Sequence, residues 1–478
     1  MIESIRNAGL LFVSIVLTTF VYTLKAQDSP FVVANALFDS GNTVTLGLEP
    51  AEGSETITVF APSDTTDHFS NGVVLAAFKG NLYCMWQSSQ KDEDAADTWV
   101  AYSRSTDDGK TWSAPMVLAE TIANGYCSSG GWLATADSLV GYINTWPSAV
   151  SPRGGFTRYV ASADGLTWTE PANVLMADGS VLNGIFEQDP HVLPDGRIVN
   201  AAHFQPGLFI NPIYTDDPSG VRGWKRGDYT HLTTSGTNSI EMEPSLFCQD
   251  DGTLVMVFRD QNTSFHTWAS TSKDRGEHWS TPVLTNMTDS RSKQSAGNLP
   301  DGTAFMVNNP IAQKSPRAPL GLTLSADGKY FDQAFLLRAA GEGLQAQRYT
   351  GKSKGLGYSY PKSITYKEYL YSSYSTNKED VQYTRVPLQS ISLNSALENA
   401  DSRDMVQIRV YSDRLQVKLP EGENKAKLLI YNISGYKLME VLMDSNVREL
   451  DLSAYPAGMY IISFATDKGK ESKLINIK

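Results

Sequence analysis

From residue 239 to 284 the chain passes through four short apolar stretches, PSLFC, TLVMVFR, FHTWAST and STPVL, each bounded by polar or glycine-containing turns. Apolar positions alternate with polar ones or form brief runs, which is the period of a strand and not of a helix. The spacing predicts a four-stranded antiparallel unit with a QDDG hairpin and a longer SKDRGEHW turn. Copies of the same order occupy 72–118, 125–175, 185–227 and 292–337, and a sixth begins within 357–388. The aromatic that closes the longer turn falls at Trp112, Trp168, Trp224, Trp279 and Phe331, at intervals of 56, 56, 55 and 52 residues. A four-strand unit repeated at that period predicts a β-propeller, because each sheet must stack on its neighbours to bury both faces. Six blades are expected, with strands near 31–60 completing the last, or seven if that segment forms its own.

Strand direction then locates function. Starts of first strands and ends of second strands share one face of the disc, opposite the hairpins and long turns. Near the axis on that face lie FEQDPH (186–191), HF (203–204), EMEP (241–244), RD (259–260), RSKQS (291–295), NN (308–309) and GYSYP (357–361). Several of these residues are ionisable or aromatic where a strand end needs nothing special.

Composition narrows the partners. The net charge is -12 and no lysine- or arginine-rich block occurs, which argues against nucleic acid or an anionic membrane. Arg6, the apolar run Leu10 to Val21 and the small residue Ala26 form a secretory signal over 1–26, and the apolar run is short for a membrane anchor. No other stretch is long and apolar enough to cross a bilayer. Cys84, Cys127 and Cys248 sit in strand-like surroundings and are expected as small buried hydrophobes, with a Cys84–Cys127 bridge as the alternative. No metal-ligand spacing and no organic cofactor signature is present. A monomer is expected.

The recurring turn, S-x-D-x-G-x-T-W in STDDGKTW (105–112), SADGLTW (162–168) and SKDRGEHW (272–279), resembles the Asp box of sialidases and related propellers. In that reading Asp107, Asp164 and Asp274 are structural: each carboxylate accepts backbone N–H groups, and the glycine takes a positive φ. The propeller is expected over 27–390, followed by a polar linker at 391–402. The remainder, 403–478, carries LLIYNISGYKL, LSAYPAGMYII and KLINIK and is similar to the C-terminal sorting domain of the Bacteroidota type IX secretion system. That resemblance implies a small β-sandwich, the type IX machinery as a partner, and a final place outside the cell or on its surface.

The sialidase resemblance also implies site residues. Sialidases use a tyrosine nucleophile activated by a glutamate, an aspartate acid/base and three arginines that hold a carboxylate. EPSLFCQDDGTLVMVFR is similar to the segment joining the glutamate to the second arginine, which gives Glu243 (or Glu241) and Arg259. SPRAPLGLTLSADG gives Arg317 as the third arginine. LGYSYPKSI gives Tyr358 as nucleophile with Tyr360 as the near alternative, and the loop KDEDAAD gives Asp92 as acid/base among Asp92, Asp94 and Asp97. The first arginine has no counterpart, since DHFSNGVVLAAF stands in its place; Arg291 and Arg348 are candidate substitutes. Glu187, His68, His191 and His203 also lie near this face, as sugar contacts or, for His203, as a general base. Three functions remain open: an enzyme that cleaves a uronic-acid-rich, ulvan-like polysaccharide by hydrolysis or elimination, an exo-sialidase with a rebuilt clamp, and a non-catalytic glycan-binding propeller.

Overall fold

In the computed structural model, residues 29–393 are described apart from 188–189 and 233–235. Beyond them it describes 407–411, 414–419, 425–432, 437–445, 447–452, 455, 458–466 and 469–477. The expected signal segment and most of the expected linker lie outside the described residues.

The chain is all-β. Six antiparallel sheets follow one another. Sheet 1 runs through Phe69–Phe78, Asn81–Ser89, Trp99–Ser105 and Met116–Ala119, and sheet 2 through Gly125–Ala134, Leu139–Pro147, Phe156–Ser162 and Ala172–Asn173. Sheet 3 holds Gly184–Phe186, Ile198–Phe204, Phe209–Thr215 and Lys225–Arg226, with His191–Val192 added on its second strand. Sheet 4 comprises Glu241–Cys248, Leu254–Asp260, His266–Ser272 and Val283–Thr288; sheet 5 comprises Ser295–Asn298, Ala304–Asn308, Leu320–Ser325 and Gln333–Arg338. Sheet 6 takes Tyr358–Tyr366, Tyr369–Thr376 and Asp380–Pro387, and its fourth strand is Glu55–Phe60 from the far end of the chain.

Apolar layers lie between successive sheets. Tyr142 and Val140 of sheet 2 meet Phe186 and Ile198 of sheet 3, and Val73 and Trp86 of sheet 1 meet Tyr371 and Tyr383 of sheet 6. The series therefore packs back on its own beginning.

The long turns show why an acidic, glycine-containing sequence recurs. In the first, Asp107 accepts the Thr111 N–H at 2.9 Å and its hydroxyl at 2.6 Å, and the Ser105 hydroxyl accepts the Gly109 N–H at 2.9 Å. Gly109 has φ +84°, and a Cβ there would lie 2.3 Å from the Tyr383 hydroxyl of sheet 6, which donates to the Gly109 carbonyl. The same docking recurs at Gly165 on Tyr83 and at Gly220 on Tyr142. Each turn thus buttresses the preceding sheet, and only glycine leaves room for the approach.

The C-terminal segment forms two antiparallel sheets, one of three strands and one of four, around a shared core that includes Leu415, Val417, Leu428, Ile430, Ile462 and Phe464. The three cysteines are all free, with Cys84 and Cys127 buried. Trp224 is fully buried, donates to the Gly220 carbonyl at 2.8 Å and meets Phe186 edge-on. Trp224→Ala is expected to cost about 3–5 kcal/mol, whereas Leu166→Ser, at an exposed turn position, should cost under about 0.5 kcal/mol. Thermal unfolding of the two variants checks the contrast.

Candidate active site

Three first strands share one irregularity. Pairing shifts between Asn71 and Val74, between Met242 and Ser245, and between Ser359 and Lys362, so that two residues oppose one. The first residue of each bulge is left-handed: Gly72 at φ +61°, Glu243 at +47° and Tyr360 at +59°. For a glutamate and a tyrosine this conformation is strained, and neighbouring groups hold it. His203 Nε2 accepts the Glu243 N–H at 3.2 Å, and the Gln294 amide donates to the Glu243 and Val257 carbonyls at 3.4 and 2.9 Å. At the equivalent Gly72 a Cβ would come 2.5 Å from the Ser129 hydroxyl.

The bulges turn Glu243 and Tyr360 into a cavity of about 240 Å³ that is also bordered by Asn71, Glu187, His203 and Arg259. Its carboxylates are matched by cations: Arg259 holds Glu243 at 2.8 Å, Lys293 holds Glu187 at 2.8 Å, Arg153 holds Asp94 at 3.0 Å and Lys378 holds Glu93 at 2.7 Å. Arg259 Nη1 also lies 3.5 Å from the Tyr360 hydroxyl. Around the Tyr360 ring stand Arg317, Lys293 and Lys378 at 5.4, 5.5 and 5.6 Å from its centroid. Burial opposes ionisation of Glu243, but the charge of Arg259, then Lys293, holds its carboxyl down to about 2. Burial and the Glu243 charge push the Tyr360 phenol up. A proton acceptor therefore sits beside a phenol that will not ionise unaided.

Several expectations are corrected by side-chain direction. Tyr358 is fully buried, meets Tyr374 edge-on at 5.6 Å and donates to the Ala339 carbonyl at 2.8 Å, so Tyr360 is the tyrosine in the cavity. Asp92 accepts the Lys352 N–H at 2.6 Å away from the cavity; Glu93 and the left-handed Asp94 border it instead. Arg348 pairs with Glu379 at 3.4 Å and with Asp380, outside the cavity lining. Glu241 is buried behind the wall, accepting from Tyr229 at 3.2 Å. His68 stacks on Tyr349 at 3.8 Å. His191 does not border the cavity, and desolvation with the Lys362 charge pushes its ring down to about 4.

Neither Arg317 nor Arg291 borders the cavity: Arg317 lies 5.4 Å from the Tyr360 ring centroid with its Nη1 3.5 Å from the Ser359 hydroxyl, and Arg291 donates to the Gln261 carbonyl. Sequence reasoning missed Lys293, Lys378, Arg153 and Trp146. Lys293 lies in the RSKQS segment flagged for this face, whereas Lys378 arrives from a hairpin. Its carbonyl accepts the Ser70 N–H at 3.0 Å, which sets the ammonium beside Asn71, in the stretch where the first arginine is missing.

The family model for BNR repeat-like domains matches residues 80–372, more than half of the chain. The chain belongs to the BNR repeat-like family. After this BNR domain, the model for the secretion system C-terminal sorting domain matches residues 411–478, which marks the chain for secretion or the cell surface. No helix among the described residues is long and apolar enough to cross a membrane. No curated protein matches the chain. Among solved structures, a Dyadobacter fermentans protein of unknown function has a TM-score of 0.55 at 14% identity, covering 70% of this chain and 99% of its own. The Hadza microbial sialidase Hz136 has a TM-score of 0.55 at 15% identity, covering 70% of this chain and 69% of its own. Trypanosoma rangeli sialidase has a TM-score of 0.54 at 12% identity, covering 89% of each chain. At these identities the likeness is one of fold.

The Arg259–Glu243 pair of the BNR domain gives a test of its own. Glu243→Gln leaves a buried guanidinium without its counter-charge and is expected to cost about 3 kcal/mol at neutral pH. A carboxyl lowered from 4.5 to about 2 contributes stability above pH 4.5 that is lost as pH falls toward 2. Over that window the melting temperature of the wild type should fall further than that of the variant.

Proposed function

We propose that the six sheets are the blades of a propeller over residues 27–390 and that its axial cavity is the active site of a secreted glycoside hydrolase for acidic sugars. Tyr360 carries this reading: a half-buried phenol on a left-handed bulge, with one arginine nitrogen lying within 3.5 Å of it and 2.8 Å of Glu243. As the Tyr360 oxygen bonds to the anomeric carbon, Glu243 takes the phenol proton. The glycosidic C–O bond breaks, and the leaving oxygen takes a proton from Asp94. Water then hydrolyses the glycosyl–tyrosine bond by the reverse sequence. The surrounding cations stabilise charge that develops on the phenol oxygen.

Substrate class follows from the cations. Arg259 on the cavity wall suits a carboxylate, but Asn71, with the Lys378 ammonium beside it, lies in the stretch that lacks the first clamp arginine, so a sialic acid clamp of three guanidinium groups is not assembled from the expected residues. This favours a uronic-acid-rich polysaccharide, ulvan-like in composition, degraded outside the cell. Exo-sialidase activity is the second reading, favoured by the fold shared with sialidases, among them the T. rangeli enzyme studied with 2,3-difluorosialic acid as a covalent intermediate. Elimination is disfavoured because His203 Nε2 is occupied by the Glu243 N–H.

Release of sugars from ulvan, 3'-sialyllactose and 4-methylumbelliferyl sialoside tests the proposal. Tyr360→Phe should lower turnover at least about a thousandfold on whichever substrate is cleaved. Tyr358→Phe should leave turnover within about threefold and lower stability by about 1 kcal/mol, for a lost buried hydrogen bond. The opposite ranking, or no cleavage of any of the three by the wild type, would refute the nucleophile assignment.

A further inference from the structure

One corner of the cavity is not used by the nucleophile. Tyr126 and Trp146 face each other across the first two strands of sheet 2, with ring centroids 5.8 Å apart and planes 11° apart. Arg153 lies over this shelf, 4.4 Å from the Trp146 ring centroid and 5.9 Å from that of Tyr126. Its Nη2 donates to the Tyr126 hydroxyl and pairs with Asp94 at 3.0 Å. Among the described residues, the hydrogen bond and the ion pair of Arg153 both use Nη2, which leaves its Nη1 and Nε edge to a ligand. The guanidinium is about half exposed, at 54% of its side chain, so a ligand can reach it. Trp146, Arg153 and Asp94 all border the cavity.

If Asp94 delivers the proton to the leaving oxygen, the sugar bearing that oxygen lies beside Arg153, which pairs with Asp94 at 3.0 Å. An acid must carry its proton into the reaction, and a carboxylate engaged by a guanidinium does not. The neighbouring wall carboxylates Glu187, Glu93 and Glu243 are already paired with Lys293, Lys378 and Arg259, so none of these is free to take Arg153 from Asp94. Something anionic must therefore take Arg153 from Asp94.

We propose that Arg153 is a positioning and specificity-determining residue: it binds an acidic group on the leaving-group sugar and thereby releases Asp94 to take up a proton. The cavity thus selects substrates acidic on both sides of the scissile bond, as in a polymer of acidic sugars. This rests on the hydrolase reading above.

Calorimetric titration of the full-length protein at mildly acidic pH, in two buffers of different ionisation heat, counts protons taken up on binding. The probes are trigalacturonate, α2,8-linked disialic acid and, as the neutral arm, maltotriose. An acidic probe should bind with uptake of a proton, and maltotriose should bind at least about tenfold more weakly. Arg153→Met should weaken the acidic probe about tenfold and abolish the uptake. Asp94→Asn should abolish the uptake while leaving binding at least as tight. Binding without uptake, or uptake unchanged in either variant, would overturn the Arg153 inference and leave the Tyr360 assignment standing. No binding of either acidic probe would overturn the acidic-sugar reading and this inference together.

Discussion

A left-handed residue in the interior of a strand is an expense that few sheets carry, and here the site depends on two of them. Glu243 and Tyr360 occupy the same bulge position in sheets 4 and 6. The bulge re-aims each side chain away from the face that strand alternation would give it. Sheet 3 supplies His203 and the segment before sheet 5 supplies Gln294 to hold the first bulge, so the strain at Glu243 is balanced by groups from both neighbouring sheets. At Gly72 of sheet 1 the same bulge carries no side chain. One backbone device, used three times, therefore yields an acid, a phenol and a space.

Charge pairing is the second constraint. The cavity is not a simple cationic funnel, because each named carboxylate on its wall has a lysine or arginine within about 3 Å. Such pairs satisfy buried charge in the empty cavity but oppose proton transfer, so a ligand must compete for the cations as it enters. Lys378 is a point charge, which demands less of an anion's geometry than a planar guanidinium would.

The repeat was legible because its chemistry is local. Serine, aspartate, glycine and tryptophan at fixed spacing build a turn whose hydrogen bonds span at most a few residues, so the sheets and the turns docked between them could be read from the chain. The face on which Glu243 and Arg259 lie was legible for the same reason, from strand direction and hairpin spacing, whereas those two residues, with Glu241 as the alternative to Glu243, came from the resemblance to sialidases. The tyrosine was not legible. Tyr358 and Tyr360 are two apart in a strand and should share a face, and only the positive φ at Tyr360, invisible in GYSYP, separates core from cavity. Asp94 stood only as an alternative to Asp92, because the left-handed turn it makes in KDEDAAD is equally invisible in the sequence. Lys378 and Arg153 come from segments that bear no resemblance to any clamp, and only tertiary packing brings them to the wall.

Sheet 6 has a temporal consequence. Its outer strand, Glu55–Phe60, leaves the ribosome early, while the strand it pairs with, Asp380–Pro387, follows more than 300 residues later. The neighbouring turn at Gly109 likewise waits for Tyr383. These contacts lie at the far end of the sequence separation that slows folding. The last seam cannot close until nearly all of the chain is available, which keeps an exported molecule unlocked for most of its synthesis. Tyr360, in that final sheet, is assembled last, so the cavity it borders comes into being only once the whole domain is in place.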